Sequence, residues 1–434
     1  MPIASRRSHQ TVQPQGHELM GLPNNDSRHR NSRALFERAE RVIPGGIYGH
    51  QTPQMLTRDR FPFFLADAEG CRIRDVDGNE YIDFLCGFGP VVLGYRHAKV
   101  EEAAERQRRQ CDTMNLPAPV MVELAERLVS VTPGAAWSVF AKNGGDVTTW
   151  ALAVAREATG RDLVAMVDHT YHGTAGWCNP FGNGFPDGER AGMRAFQWND
   201  AASLRALIDR EGASIAAVIV TPFRHEAFED SQLPANEFLS DVRRICDENG
   251  SVMIVDDVRA GFRIDIGGST QRWGVTPDLL VYSKALANGY PLSAMIGADA
   301  LRDAARAVFV TGTTFTQAVP IAAALATLEE LERTDGIAHM DRMGRRLCDG
   351  LLERATAVGV EVRLSGPPSI PYMSFVDDES DFARSKLWAG ACADAGAFFH
   401  PLHNWFISVA HAETDIDEAL DAAERGFSDV RAAF

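Results

Sequence analysis

Leu279-Leu280-Val281-Tyr282-Ser283-Lys284-Ala285-Leu286-Ala287-Asn288-Gly289-Tyr290-Pro291 joins a short apolar run to a lysine and then to a Gly-Tyr-Pro turn. A short apolar run closed by a turn signal reads as a buried parallel strand, which sets the lysine where a strand end meets a loop. Burial at such a place disfavours the ammonium and lowers the lysine pKa. The chain carries 43 basic residues, and only Lys99, Lys142, Lys284 and Lys386 are lysine. Arginine keeps its proton under working conditions, whereas lysine can act as a free amine nucleophile. Position 284 is therefore a candidate for amine chemistry, although a lysine that merely caps a strand has the same local sequence.

On either side of this stretch the chain alternates strands with helices. Strands are expected over 139–141, 163–167, 215–220, 252–255, 279–282 and 293–296, with helices after Asn143-Gly144-Gly145 and over 237–248. Continuous apolar strands in this alternation predict a doubly wound α/β core with a mainly parallel sheet. Ligands of such sheets sit outside the carboxyl ends of the strands. Asn143 to Gly145, Asp256 and Lys284 each follow an apolar strand directly. Ahead of the core, a helix is expected to start near Asn31 and stop at Pro44-Gly45-Gly46. Strands over 72–76 and 81–84 meet through Asp77-Gly78, a strong hairpin signal. Helices are expected over 100–111 and 120–131. After a helix starting near Gln317 come a helix over 336–358, strands over 360–363, 372–375 and 406–409, and helices over 381–395 and 415–427. That tail reads as a smaller α+β unit. The domain reading is a flexible arm over 1–32, a segment over 33–84 that joins the small domain, a large domain over 85–316 and a small domain over 317–434.

Composition narrows the function class. A length of 434 residues implies more than one packed unit. A net charge of -16 argues against a nucleic-acid partner, since phosphate binding needs a basic face. The seven cysteines are scattered with no CxxC pair, the usage of a reduced, cytoplasmic protein. No apolar run approaches the ~20 residues that span a bilayer. Ser5-Arg6-Arg7 lacks the apolar segment that a secretory or twin-arginine signal carries.

Several short patterns then converge. Asn143-Gly144-Gly145-Asp146 opens a helix, where glycines and the helix N-terminus suit an anion, and where a plain capping turn would look the same. The full G-x-G-x-x-G of a dinucleotide site is absent. Asp256 can cap, pair, or face a heterocyclic nitrogen and keep it protonated; Val258 lies on the same face of an extended segment. Tyr171 and His172 follow another strand. His169 with His172, and His400 with His403, have metal-like spacing but no third ligand, so no metal is expected. Gly312-Thr313-Thr314 precedes a long helix and offers either a cap or phosphate donors. An amine, a strand-end carboxylate, an aromatic residue and two anion-binding turns together match the needs of pyridoxal phosphate.

With these pieces the chain resembles the class III pyridoxal-phosphate aminotransferases, in the branch of the glutamate-1-semialdehyde aminomutases. The likeness runs from Val42-Ile43-Pro44-Gly45-Gly46 to Ser408-Val409-Ala410-His411. It includes the hairpin from Asp75 to Asp83, Tyr171-His172-Gly173, the run from Asp256 to Arg263, and Ser283-Lys284-Ala285. The resemblance implies fold type I, with a mainly parallel seven-stranded sheet, and a homodimer with shared active sites. It implies that Lys284 carries the Schiff base and Asp256 pairs with the ring nitrogen. Tyr171 would stack on one ring face and Val258 on the other, with His172 beside them. Asn143, Gly144 and Gly145 would hold the phosphate, and Thr313 would reach it from the partner chain. The substrates implied are a small amine or amino acid and a carbonyl acceptor, with an intramolecular aminomutase, lyase or racemase as alternatives. Three positions depart from the family pattern. Asn143-Gly144-Gly145 stands for a Ser-Gly-Thr triplet, and Thr221-Pro222 for a Glu-Pro. The stretch Tyr48-Gly49-His50-Gln51-Thr52-Pro53 lacks the arginine that the semialdehyde mutases use. Arg224, Arg259 and Arg263 are candidate carboxylate clamps by residue type, and His50, His400, His403 and Trp405 are candidate entrance residues.

Overall fold

The computed structural model describes residues 27–49, 60–62, 64–179, 184–226, 228–235, 237–379 and 381–434. The first sheet grows from the expected hairpin. Strands β1 (Leu65–Glu69), β2 (Arg72–Asp75) and β3 (Glu80–Asp83) are antiparallel neighbours. Asp75 fixes the turn, because its carboxylate accepts from the backbone N–H of Asp77 (2.9 Å) and Asn79 (2.8 Å), from Asn79 Nδ2 (2.8 Å) and from the Tyr81 hydroxyl (3.0 Å). β1 carries no apolar alternation and is half-exposed, which is why its sequence does not announce a strand.

The large sheet contains β4 (Trp137–Ala141), β5 (Leu163–Val167), β6 (Met193–Phe196), β7 (Ile215–Val220), β8 (Val252–Asp256), β9 (Leu279–Tyr282) and β10 (Ser293–Gly297), in the order β4-β10-β9-β8-β7-β5-β6. Only β10 runs against its neighbours; the other pairs are parallel. Residue alternation builds a core on each face of this sheet. Val164, Ala217, Ile219, Ile254, Leu279, Val281 and Met295 pack with the helix Gly144–Thr159. Ala165, Val218, Met253, Val255, Leu280 and Ile296 face the other way, into the core shared with the helices Phe238–Asn249 and Ala318–Arg333. This is the doubly wound α/β arrangement expected from the sequence. β4, β8 and β9 point the same way, so the helix start after β4, Asp256 at the end of β8 and Lys284 beyond β9 share one edge.

The C-terminal part adds the antiparallel pair β11 (Val362–Ser365) and β12 (Tyr372–Phe375), and β13 (Ala397–Phe398), parallel to β3. The strand expected over 406–409 is not formed. Trp405 N–H donates to Pro371, Phe406 to Phe84, Ile407 to Ser369 and Val409 to Val92. The segment is threaded between two extended stretches, satisfying its backbone on both sides without entering a ladder.

One side chain ties the lysine loop to the N-terminal segment. Asn288 ends the turn Lys284–Ala287 in the left-handed region (φ 44°), a conformation that asparagine tolerates. Its Oδ1 accepts from Val92 N–H (2.9 Å) and Leu93 N–H (2.8 Å), and its Nδ2 donates to Gly94 O (2.9 Å). The residue is 7% exposed. Asn288→Ala would leave two buried donors unpaired and is expected to cost about 2–4 kcal/mol of stability, read as a lowered urea midpoint with an unchanged slope.

Candidate active site

At the sheet edge the backbone itself is strained around the lysine. Lys284 has φ 22°, a value rarely adopted by a side-chain-bearing residue. Its Nζ donates to Phe88 O at 2.9 Å and meets no carboxylate in an ion pair among the described residues. Burial, then the nearby charges of Arg259 and Arg263, lower its pKa to about 7, with Asp256 acting weakly in the other direction. A neutral amine is therefore present near pH 7, as nucleophilic or base chemistry requires.

Asp256 and Asp257 are adjacent in sequence and face opposite ways. Asp256, 6% exposed, turns to the site: Oδ2 lies 2.7 Å from His172 Nδ1, and Oδ1 accepts from Val258 N–H at 3.1 Å. Asp257 turns into the protein, where Ser269 N–H (2.7 Å) and Oγ (2.6 Å) donate to it; burial raises its pKa to about 7. Strand alternation thus selects Asp256 as the site carboxylate. His172 stacks on Trp177 (centroids 6.0 Å apart, 16° between planes), and its Nε2 is buried without a partner. Tyr171 is 43% exposed beside it.

The glycine turn has the form that an anion cradle needs. Asp146 Oδ2 accepts Asn143 N–H at 2.8 Å and Asn143 Nδ2 at 3.1 Å, so the capping turn and the candidate phosphate turn are the same structure. The N–H groups of Gly144 and Gly145 have no acceptor among the described residues, as expected in a first helical turn. A Cβ on Gly144 would lie 2.9 Å from both methyls of Val258, and one on Gly173 would lie 2.7 Å from Gly145 Cα. Both glycines are needed for these elements to approach one another. Thr148 locks the turn, donating to His172 O at 2.8 Å. Lys142, just before the turn, has a buried Nζ without a partner, and burial lowers its pKa to about 8.

Lys284, Asp256, His172, Val258, Gly144 and Gly145 are thus linked through direct contacts or shared neighbours. Thr313 is not; it lies exposed in the turn ahead of the helix Ala318–Arg333 and makes no hydrogen bond to them. Of the candidate clamps, Arg224 pairs with Glu229 at 2.9 Å. Arg263 is buried, lies 5.0 Å over the Phe406 ring and donates to Val91 O at 3.3 Å. Arg259 donates to His403 Nε2 at 3.0 Å and to Asn404 Oδ1. The metal-like histidine pairs have other uses. His172 contacts Asp256, His403 contacts Arg259, and His400 Nδ1 accepts Leu402 N–H at 3.1 Å. His50 to Pro53 lie outside the described residues. Sequence reading missed Phe88, Asn404 and Glu226, each joined to the site across a long stretch of chain or in an irregular loop.

A buried carboxylate bound to an imidazole, a lysine amine with a lowered pKa and a glycine turn with open N–H groups fit pyridoxal phosphate. Comparison with known proteins agrees. The family model for aminotransferase class-III matches residues 55–429. Aminopentol aminotransferase of Sphingopyxis macrogoltabida is 43% identical over 91% of this chain and 93% of its own. Glutamate-1-semialdehyde 2,1-aminomutase of Desulfatibacillum aliphaticivorans is 32% identical over 91% of this chain and 98% of its own. The FumI protein of a Sphingopyxis species, solved in its internal aldimine form with pyridoxal phosphate, superposes with a TM-score of 0.90. That likeness is at 43% identity and covers 92% of this chain and 95% of the other.

The lowered lysine pKa has a signature in the cofactor-free protein. Between about pH 7 and the ordinary value of 10.5, the unfolded chain holds a proton on this amine that the folded chain does not. Unfolding then takes up a proton, so this group makes stability rise with pH across that window and contributes no slope below it. Lys284→Met is expected to remove this part of the slope and to raise stability at pH 7, measured by urea unfolding at several pH values.

Proposed function

Because the chain belongs to the class III aminotransferase family, we propose how its own residues divide the work of pyridoxal-phosphate-dependent amino transfer. Bound there, the cofactor supplies an electron sink for the substrate carbon. Lys284 would hold the cofactor aldehyde at rest and, as a free amine, would move a proton at the substrate's amine-bearing carbon; its lowered pKa suits both tasks. Asp256 would keep the ring nitrogen protonated, and His172 orients Asp256 through the 2.7 Å contact. Val258 and Tyr171 would flank the cofactor ring. Gly144 and Gly145 offer their open N–H groups to the phosphate, while Asn143 shapes the turn instead of donating its backbone N–H, which Asp146 already binds.

The single observation that carries this reading is that the Lys284 amine, held by Phe88 O and without an ion pair among the described residues, shares one sheet edge with the Asp256–His172 pair. Transferase action is favoured over the mutase alternative by the 43% identity to an aminotransferase against 32% to an aminomutase. The substrates are a small amine or amino acid and a separate carbonyl acceptor. We further propose a homodimer in which Thr313 serves the partner's site; the exposed apolar residues Phe309 (90%), Leu116 and Tyr48 would then be covered. The small domain would join 33–84 to 317–434, supported by the parallel pairing of β13 with β3. No helix among the described residues is long and apolar enough to cross a membrane. A cytoplasmic location is our reading of the seven free cysteines.

Alternating substrates test this reading. With an amine and no carbonyl acceptor, product should stop near one equivalent per site, and adding an acceptor should restore turnover. Sustained conversion without acceptor would favour the mutase. Lys284→Ala should lower turnover about 10²- to 10⁴-fold, measured under the same conditions.

A further inference from the structure

Arg259 is a buried cation at the site that no carboxylate among the described residues closes on. Its Nη1 is committed to His403 Nε2 (3.0 Å) and Asn404 Oδ1, whereas its Nε is buried with no acceptor. No ion pair with an acidic residue forms among the described residues. Burial holds His403 well below the usual histidine range, so its ring stays neutral, accepting at Nε2 and donating from Nδ1 to Asn404 O at 2.7 Å. Both partners thus orient the guanidinium without cancelling its charge. The nitrogen they take lies on the Cδ side of the group. Left open are Nε and Nη2, whose parallel N–H bonds form the edge that grips a carboxylate with two hydrogen bonds.

The position is close to the reacting amine. Phe88 O accepts from Lys284 Nζ at 2.9 Å, and the Phe88 ring meets the His403 ring edge-on at 5.2 Å. His403 holds Arg259, which follows Val258 of the cofactor pocket. The acid that acts most strongly on Arg259 is Glu226, yet Glu226 does not close on it. Glu226 Oε1 is buried without a partner, and burial raises its pKa, whereas a closed ion pair would lower it. Arg224 and Arg263 also keep unpartnered nitrogens, but each commits its Nη2, to Glu229 and to Val91 O, so neither keeps the Nε–Nη2 edge open.

We propose that Arg259 is the specificity-determining residue for a carboxylate-bearing substrate: its Nε–Nη2 edge binds the carboxylate of a short 2-oxo acid acceptor and of the amino acid formed from it. The proposal rests on the amino-transfer reading above and adds a substrate class to it. It explains why the chain can dispense with an arginine in the Tyr48–Pro53 stretch and still use a 2-oxo acid.

The test uses holoenzyme and two readouts. The first is the ratio of kcat/KM for pyruvate to that for propanal as acceptor with the same amine. The second needs no turnover: the shift of the cofactor absorbance on titration with propionate, compared with propionamide. Arg259→Gln should lower the pyruvate-to-propanal ratio about 30- to 100-fold and weaken propionate binding by a similar factor. Arg259→Lys should restore only part of either, because an ammonium cannot form the two-point contact. Asn404→Asp sets a carboxylate against Nη1 and should lower both readouts in the same direction, which guards against a misfolded Arg259 variant. An unchanged ratio with unchanged propionate binding would overturn the proposal, as would equal losses for pyruvate and propanal. If propionate binding depends on Arg259 but no acceptor is aminated, the carboxylate site stands and the amino-transfer reading falls.

Discussion

Positive charge buried without a closed ion pair is the constraint around which this site is built. Lys284, Arg259 and Arg263 lie together at one end of the large sheet, and among the described residues neither the lysine nor the two arginines forms an ion pair. Arg259 and Arg263 have pKa values lowered to about 10 by burial and remain charged at neutral pH. Lysine is the member of the trio that can relieve the repulsion by losing a proton. The same charge pattern that frees the amine also readies the pocket for anions. A phosphate at the glycine turn and a carboxylate at Arg259 would supply the missing negative charge, so ligand binding and amine chemistry draw on one electrostatic arrangement.

The fold holds these charges where solvent would otherwise disperse them. Parallel strands β8 and β9 deliver Asp256 and Lys284 to the same edge, and β4 runs with them to deliver the helix start at Gly144. Close approach of Gly144 to Val258 and of Gly173 to Gly145 sets the cradle against the pocket wall. Asn288 then pins the segment 92–94 over the lysine loop, which brings Phe88 O onto the amine. The core on each face of the sheet supplies a rigid base for these short contacts.

What the chain discloses before folding follows from the range of the interactions. Lys284, Asp256 and the glycine turn were legible because each ends an apolar strand, and strand ends of a parallel sheet meet at one edge. β6 and β1 were not, since Met193–Phe196 is an edge strand with an arginine and Leu65–Glu69 lacks apolar alternation. The segment 406–409 reads as a strand by composition, yet its N–H groups are shared between two neighbours. The partners of Arg259 could not be read from sequence, because His403 and Asn404 lie 144 and 145 residues away. Residue type alone offered three arginines as clamps; the structure separates Arg259, whose Nη2 is open, from Arg224 and Arg263, whose Nη2 groups bind Glu229 and Val91 O.

The central assignment is that one particular amine, out of four lysines, holds the cofactor. Borohydride reduction of the holoprotein, followed by proteolysis and peptide mapping by mass spectrometry, tests it most directly. The expected result is the reduced cofactor fixed to the peptide containing Lys284 and to no other. Attachment at Lys99, Lys142 or Lys386, or recovery of an unmodified Lys284 peptide from the coloured protein, would contradict it.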